Sequence, residues 1–275
     1  MKRKALGVGA ILIGMASFQA GAVVCDLTTA LASCTINGAV FQEGDYLDHS
    51  SGTGAFPAFV QIGQPGGQVN IYDGYNTTVN NVLNNGSADP HNHEVLLSSV
   101  PIVTIDGIQY REFHLDINQN KSVHGGYFLT LNEVQLLTSA VPNQSVETFT
   151  DGVVDIDGSL AYRMDAGVDS DVRLRYGLHP GSGRDADMRL LVPNSLFGAG
   201  AYVYLYSRFG EETFCDAGVC GGNNTGGFEE WAFGPTVTVT QVPEPTSLAL
   251  FGLGLAGLAF RRRKNADRAV TGKLV

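Results

Sequence analysis

Three groups of side chains in this sequence carry residue types that can do chemistry. The first is His91-Asn92-His93-Glu94. Side chains alternate along an extended strand, so His91 and His93 would point the same way and present two imidazoles to one metal ion. His114, Asp116 or His124 would have to complete the shell, and a polar loop with solvated histidines accounts for the segment equally well. The second group is acidic: Asp151, Asp155 and Asp157, then Asp165, Asp169 and Asp171, then Asp185 and Asp187 in the loop 181–187. Calcium takes roughly six to eight oxygen ligands, often from closely spaced aspartates, which makes Asp155, Asp157, Asp185 and Asp187 the candidate calcium ligands. None of these runs has EF-hand spacing, and Asp and Gly are also ordinary residues of tight turns.

The third group is Glu229-Glu230-Trp231. A glycosidase sets two carboxylates on opposite sides of a sugar, whereas neighbours on a strand face opposite ways, so this pair cannot serve together. Trp231, or the row Tyr202, Tyr204 and Tyr206, would suit an aromatic platform for a sugar ring, although a lone tryptophan is more often core. A Gly-x-Ser-x-Gly elbow, a phosphate loop and a dinucleotide fingerprint are all missing. No catalytic set is expected, and the chain reads as a non-enzyme, with a secreted hydrolase as the last alternative.

These residues would sit on strands and their connecting turns. From residue 35 onward, period-two runs recur every ten or so positions between Gly, Asn and Asp: TINGAVFQ, SVPIVTI, GIQYREFHLDI, YFLTLNEVQLL, DVRLRYGL, MRLLVP, AYVYLYSRF, FEEWAFG and TVTVTQ among them. No stretch repeats with helical period over three turns. The pattern predicts an all-β domain, an antiparallel β-sandwich of jelly-roll-like kind. Asp106-Gly107, flanked by apolar alternation, predicts a tight hairpin. Alternation also sets Arg173 and Arg175 opposite Val172 and Leu174, and the three tyrosines opposite Val203 and Leu205. The stretch between residues 44 and 83, rich in Asn and Gly, reads as long loops with few strands.

The chain has 275 residues and a formal net charge of −10. Both ends are basic, so the body is more acidic still, and Lys121 is its only lysine. Such a surface repels nucleic acid and anionic lipid, while cations and neutral glycans are tolerated. The four cysteines fall as Cys25 with Cys34 and Cys215 with Cys220. Four cysteines allow three connectivities, and two local disulfides are the expected one in an oxidising compartment. Zinc is disfavoured, because neither pair has two-residue spacing or an adjacent histidine.

The ends address the chain. Lys2, Arg3 and Lys4 precede an uncharged, mostly apolar run (residues 5–18), and Ala20 and Ala22 place small residues before a signal-peptidase cut at Val23. Cys25 as a lipidated residue is the weaker reading, since Val24 is poorly suited to precede it. At the other end Pro243-Glu244-Pro245 leads into TSLALFGLGLAGLAF (residues 246–260) and then Arg261-Arg262-Arg263-Lys264. As a helix that run covers about 22 Å, shorter than an ordinary membrane span. The basic cluster would hold its end on the cytoplasmic face. The expected organisation is therefore a signal peptide (1–22), a secreted β domain (23–241), a short membrane-helix signal (242–264) and a cytoplasmic tail (265–275).

The Pro-Glu-Pro, short span and arginine cluster resemble the PEP-CTERM sorting signal of Gram-negative bacteria. That resemblance implies export, recognition by an exosortase, transient anchoring in the inner membrane, and a destination at the cell surface or in an extracellular polysaccharide matrix or biofilm. The chain runs eleven residues past Lys264, further than such proteins usually do. The segments DMRLLVPNSLF, YVYLYSRFG and GGFEEWAFGP also look like the C-terminal half of PEP-CTERM proteins of unassigned function. The expected partners are signal peptidase, exosortase and extracellular polysaccharide. The expected role is non-enzymatic, the alternative being a carbohydrate-binding module stabilised by calcium.

Overall fold

Tight turns lay out the fold. At four places among the described residues a non-glycine residue and the glycine after it both take positive φ: Asn37-Gly38 (49° and 85°), Asp106-Gly107 (50° and 80°), Asp151-Gly152 (52° and 76°) and Ala217-Gly218 (48° and 85°). Two such residues make a primed turn whose twist matches that of paired strands, so each site closes a hairpin. The computed structural model describes residues 22–44, 58–63, 70–85, 91–120, 122, 124–176, 178 and 186–233. Ala20 and Asp185 lie outside the described residues, as do Pro243, Glu244 and Pro245, the membrane run, Arg261, Arg262 and Arg263, and the tail. Among the described residues no helix is long and apolar enough to cross a membrane.

The strands are β1 (Val23–Asp26), β2 (Ser33–Ile36), β3 (Ala39–Glu43), β4 (Val60–Ile62), β5 (Tyr72–Tyr75), β6 (Val95–Leu96), β7 (Ile102–Ile105), β8 (Ile108–Asp116) and β9 (Phe128–Ser139). They continue as β10 (Phe149–Thr150), β11 (Val153–Val154), β12 (Ser159–Arg163), β13 (Ser170–Arg175), β14 (Met188–Pro193), β15 (Tyr202–Phe209), β16 (Phe214–Asp216), β17 (Val219–Gly221) and β18 (Glu229–Phe233). Two seven-stranded sheets result. Sheet A runs β1-β13-β9-β15-β5, with β12 also on β9 and β6 on β15. Sheet B runs β2-β3-β14-β8-β18-β4, with β7 also on β8. The all-β expectation holds.

Two details differ from the expectation. TINGAVFQ is a hairpin rather than one strand, because Asn37-Gly38 turns the chain so that Ile36 faces Ala39. One pairing is parallel: β1 runs alongside β13, Val23 opposite Ser170 through Asp26 opposite Arg173. Parallel neighbours need a long connection, and the chain between these two strands supplies it.

One apolar cluster draws on both sheets. Phe41, Phe113, Leu115, Leu190 and Trp231 enter it from sheet B, and Leu131, Val134, Leu136, Val203 and Leu205 from sheet A. Alternation decides which face goes in: Val172 and Leu174 of β13 are buried while Arg173 and Arg175 are half-buried. Side-chain hydrogen bonds cross the core, from Trp231 Nε1 to Ser207 Oγ (3.0 Å) and from the Tyr162 hydroxyl to the Ile36 carbonyl (3.0 Å). A second cluster forms on the other face of sheet A, where Val154, Ile156 and Val82 cover Tyr75, Leu137, Tyr204 and Tyr206. All twelve residues of β9 are consequently buried, one face by each cluster and by what flanks them.

Candidate functional site

A bulge in β9 helps to build a cleft on sheet A. Arg208 of β15 faces Glu133, but its neighbour Phe209 faces Leu131, so Asn132 is the extra residue. Bulges re-aim side chains. Here Leu131 and Val134 stay in the core while Asn132 and Glu133 both line a cleft of about 470 Å³ on the outer side of sheet A. Asp73 of β5 lies opposite Arg208, so an acid–base–acid row crosses three strands. Asp165, Asp169 and Asp171 reach the cleft from the β12–β13 turn and β13, Glu211 and Glu212 from the end of β15, and Phe149 and Gly152 from the β10–β11 hairpin.

The hairpin is tied down by Gln135, whose Nε2 donates to the Gly152 carbonyl (2.7 Å) and whose Oε1 accepts from Val154 N–H (3.0 Å). Arg163 Nε lies 2.9 Å from Glu133 Oε2, and its Nη1 donates to the Asp151 carbonyl (2.9 Å). Asp165 N–H donates to Glu133 Oε1 (3.3 Å), and Asp165 Oδ1 accepts from Ser170 N–H (2.9 Å). Asn132 Nδ2 donates to Asp171 Oδ1 (2.7 Å), and the Tyr206 hydroxyl to Asp73 Oδ2 (3.1 Å). Phe149, partly open to solvent, packs edge-on against Tyr206 at 5.3 Å.

Four of these carboxyls bind protons more tightly than usual. Burial, then the neighbouring Glu133 charge, pushes Asp165 up to about 7. Burial also raises Glu133 against the opposing Arg163, and raises Asp73 and Asp171. Perturbed carboxyls gathered in a cleft are the usual mark of a place where a ligand or a proton is handled. Although this site is acidic, its arginines and amides make it a mixed donor and acceptor surface.

The aromatic platform expected at Tyr202, Tyr204, Tyr206 and Trp231 is not open. Tyr204, Tyr206 and Trp231 are buried and Tyr202 is half-buried. The tyrosines do share one face, but the β10–β11 region covers it, and Trp231 fills the core between the sheets. Asp185 lies outside the described residues, and the other three candidate calcium ligands, Asp155, Asp157 and Asp187, are not brought together. Asp155 and Asp157 are exposed on the β11–β12 turn beside sheet A, whereas Asp187 is buried where it bonds β8 of sheet B.

Glu229 and Glu230 face opposite ways, as alternation requires: Glu229 is fully buried, and Glu230 Oε1 accepts from Gln61 Nε2 (2.5 Å). His93 and His91 are half-buried, His124 is exposed, and His114 Nε2 donates to Glu112 Oε1 (2.8 Å). Among the described residues no group of three or more His, Cys, Asp or Glu side chains is placed to hold a metal ion. The cysteines form two disulfides, Cys25–Cys34 and Cys215–Cys220.

Sequence reading singled out Asp165, Asp169 and Asp171 but missed Asp73, Glu133, Arg163 and Arg208. The available signal was Glu133 itself, a charged residue inside the otherwise apolar run of β9.

An all-β domain closed by disulfides and carrying an acidic cleft defines the class. The C-terminal end is more specific: residues 241–264 match the PEP-CTERM protein-sorting motif. The chain therefore carries the signal of an exported protein that is processed by an exosortase after transient membrane anchoring. No curated protein and no solved structure matches the chain.

Proposed function

We propose that this chain is a non-enzymatic surface or matrix protein, delivered to the outside of a Gram-negative cell and associated there with extracellular polysaccharide. The sorting motif carries the reading, since it lies C-terminal to the last described strand and marks an exported body for an exosortase. A signal peptide ending at Ala22 and signal-peptidase cleavage fit the same route, as do the two disulfides, which form and persist in oxidising compartments. We take the two sheets around their shared core to be a β-sandwich of jelly-roll kind. The cleft of sheet A is the place where a glycan would be held. Its size suits two or three sugar rings, its carboxylates and amides match hydroxyls, and Phe149 offers a ring at the rim. The surplus of acids favours a glycan carrying free amino groups.

The test is binding of the mature protein to the producer's polysaccharide, with and without calcium chelation, against the double variant Glu133→Gln, Asp165→Asn. Saturable binding lost in the variant supports a recognition role in the cleft. Loss on chelation would restore calcium to the account, and absence of binding would leave a purely structural matrix role. A hydrolase is the second reading, favoured by one observation: Asp165 is held partly protonated at neutral pH beside Glu133, as an acid catalyst requires. Release of shortened glycan by wild type but not by Asp165→Asn would establish it.

A further inference from the structure

A second pocket opens beside the cleft of sheet A, across the strap formed by residues 210–213. Its volume is about 390 Å³, somewhat smaller than the cleft, and Asn70, His124, Thr213, Asn223 and Thr225 are among the residues that line it. Two stretches of chain lead from one to the other. Glu212 lines the cleft and Thr213, the next residue, lines the pocket; Asp73 lines the cleft and Asn70, three residues earlier, lines the pocket. Three residues span at most about 11 Å even when extended, so the two are direct neighbours. Both lie on the outer side of the sheet. Asp171, a wall of the cleft, shares the outer face of β13 with Arg173, and Arg173 stands over the Phe214 ring at 4.9 Å. Phe214 in turn packs on Phe128 of β9 at 4.8 Å, which puts the β16–β17 hairpin, with the pocket residue Cys220, on that face.

The strap between them is pinned to the sheet. Gly210 N–H donates to the Thr130 carbonyl (2.9 Å), Glu211 N–H to Asn132 Oδ1 (2.8 Å) and Thr130 Oγ1 to the Glu212 carbonyl (2.8 Å). β9 thus holds the strap at three consecutive residues. Asn223 Nδ2 reaches the Gly210 carbonyl (2.7 Å) from the pocket side. The segments that wall the pocket lie backbone against backbone. A Cβ on Gly125 would stand 1.9 Å from the Cys220 carbonyl oxygen, and one on Gly222 would stand 2.3 Å from that of Glu212. Walls packed this closely fix the shape of the pocket before any ligand arrives.

We propose that cleft and pocket are two subsites of one groove, which holds a linear, amino-bearing glycan chain across the Glu211–Thr213 strap rather than a short sugar in the cleft alone. The inference rests on the reading of the cleft as a glycan site. The two parts meet the chain with different groups. The cleft presents carboxyls beside arginines, and the rim of the pocket presents the Asn70 amide, the Thr213 hydroxyl and the His124 imidazole, all able to pair with sugar hydroxyls. These three residues are exposed, so a chain crossing the strap reaches them. A polymer already held in the cleft brings its following sugars to the pocket without a second association, and even weak contacts there then add to affinity.

The experiment is calorimetric titration of the mature protein with chitosan trimer and chitosan hexamer, for wild type, Asn70→Ala and Thr213→Leu. The hexamer should bind wild type about tenfold more tightly than the trimer. Both substitutions should erase most of that gain and leave trimer affinity as in wild type, which also shows that the variants are folded. Equal affinities of trimer and hexamer in wild type would overturn the joined groove and leave the cleft reading standing. A gain that survives both substitutions would overturn it too, because the extra registers of a longer chain, and not the pocket, would then produce it. A lysine hexamer bound as tightly as the chitosan hexamer would mean that the groove senses charge alone, which also contradicts it. If neither chitosan oligomer binds, the cleft reading itself falls and the groove falls with it.

Discussion

Two buried carboxyls of the β8–β14 region, Glu112 and Asp187, meet opposite fates. Burial works against a charge on Glu112, but hydrogen bonds from His114 and Arg189 and the attraction of the arginine outweigh it, so Glu112 holds its charge below the usual carboxylate range. Glu112 Oε1 lies 2.8 Å from both His114 Nε2 and Arg189 Nε. At the other end of the same strand pair, Asp187 lies across from Asp116, and burial, then repulsion from Asp116 and Glu229, holds the Asp187 carboxyl well above the ordinary carboxylate range. Burial depth is alike for the two, at 4% exposure each. The charges nearby decide the outcome: Arg189 lies beside Glu112, whereas Asp187 feels the acids Asp116 and Glu229.

The comparison breaks most completely if its cation is removed. Arg189→Met should leave Glu112 charged and buried with only His114, costing about 3 kcal/mol by chemical denaturation at pH 7. An unchanged midpoint would mean that the ion pair is not stabilising in solution. Glu112→Gln sharpens the same point with a smaller loss, about 1–2 kcal/mol. Its sign is opposite to that of Asp187, whose folded-state value is raised. A lowered folded-state value gives stability that is present above the unfolded value, near 4.3, and lost as pH falls through the folded one. The Gln variant should therefore be weaker than wild type at pH 7 and converge with it near pH 3, which pH-resolved denaturation would check.

The cross-sheet contact supplies a control without charge. Trp231→Phe removes the bond to Ser207 and some volume, for about 1–2 kcal/mol with no dependence on pH. In the cleft, Asp165→Asn should have the smallest effect because the site is half open to water. It should raise the midpoint slightly above pH 7, where the native acid would lose its proton, and leave it unchanged at pH 4. A gain at pH 4 would show that the substitution acts through something other than charge.

The parts of this molecule that were legible in its sequence are local. Asp106-Gly107 announced its hairpin, the alternation in β13 and β15 assigned the inner and outer faces, and the spacing of the cysteines favoured their pairing. Asn37-Gly38 carried the same turn signal, but the apolar residues on either side disguised it as one run. What stayed hidden depends on register between distant strands. Asp116 and Asp187 are separated by 71 residues, as Ile117 N–H and the Asp187 carboxylate show, and nothing in either segment tells that they face each other. Asp73 and Glu133 meet Arg208 only because three strands align and β9 bulges at Asn132. The tyrosine row was placed on the correct face, yet its exposure depended on a short hairpin folding back over it.

The account rests on the sorting signal, and the most direct measurement is cell fractionation of the producer expressing the chain with Pro243-Glu244-Pro245 replaced by alanines. The account predicts that the variant accumulates uncut in the inner membrane while wild type appears, shortened, at the surface or in the matrix. Equal processing and release of both would contradict it.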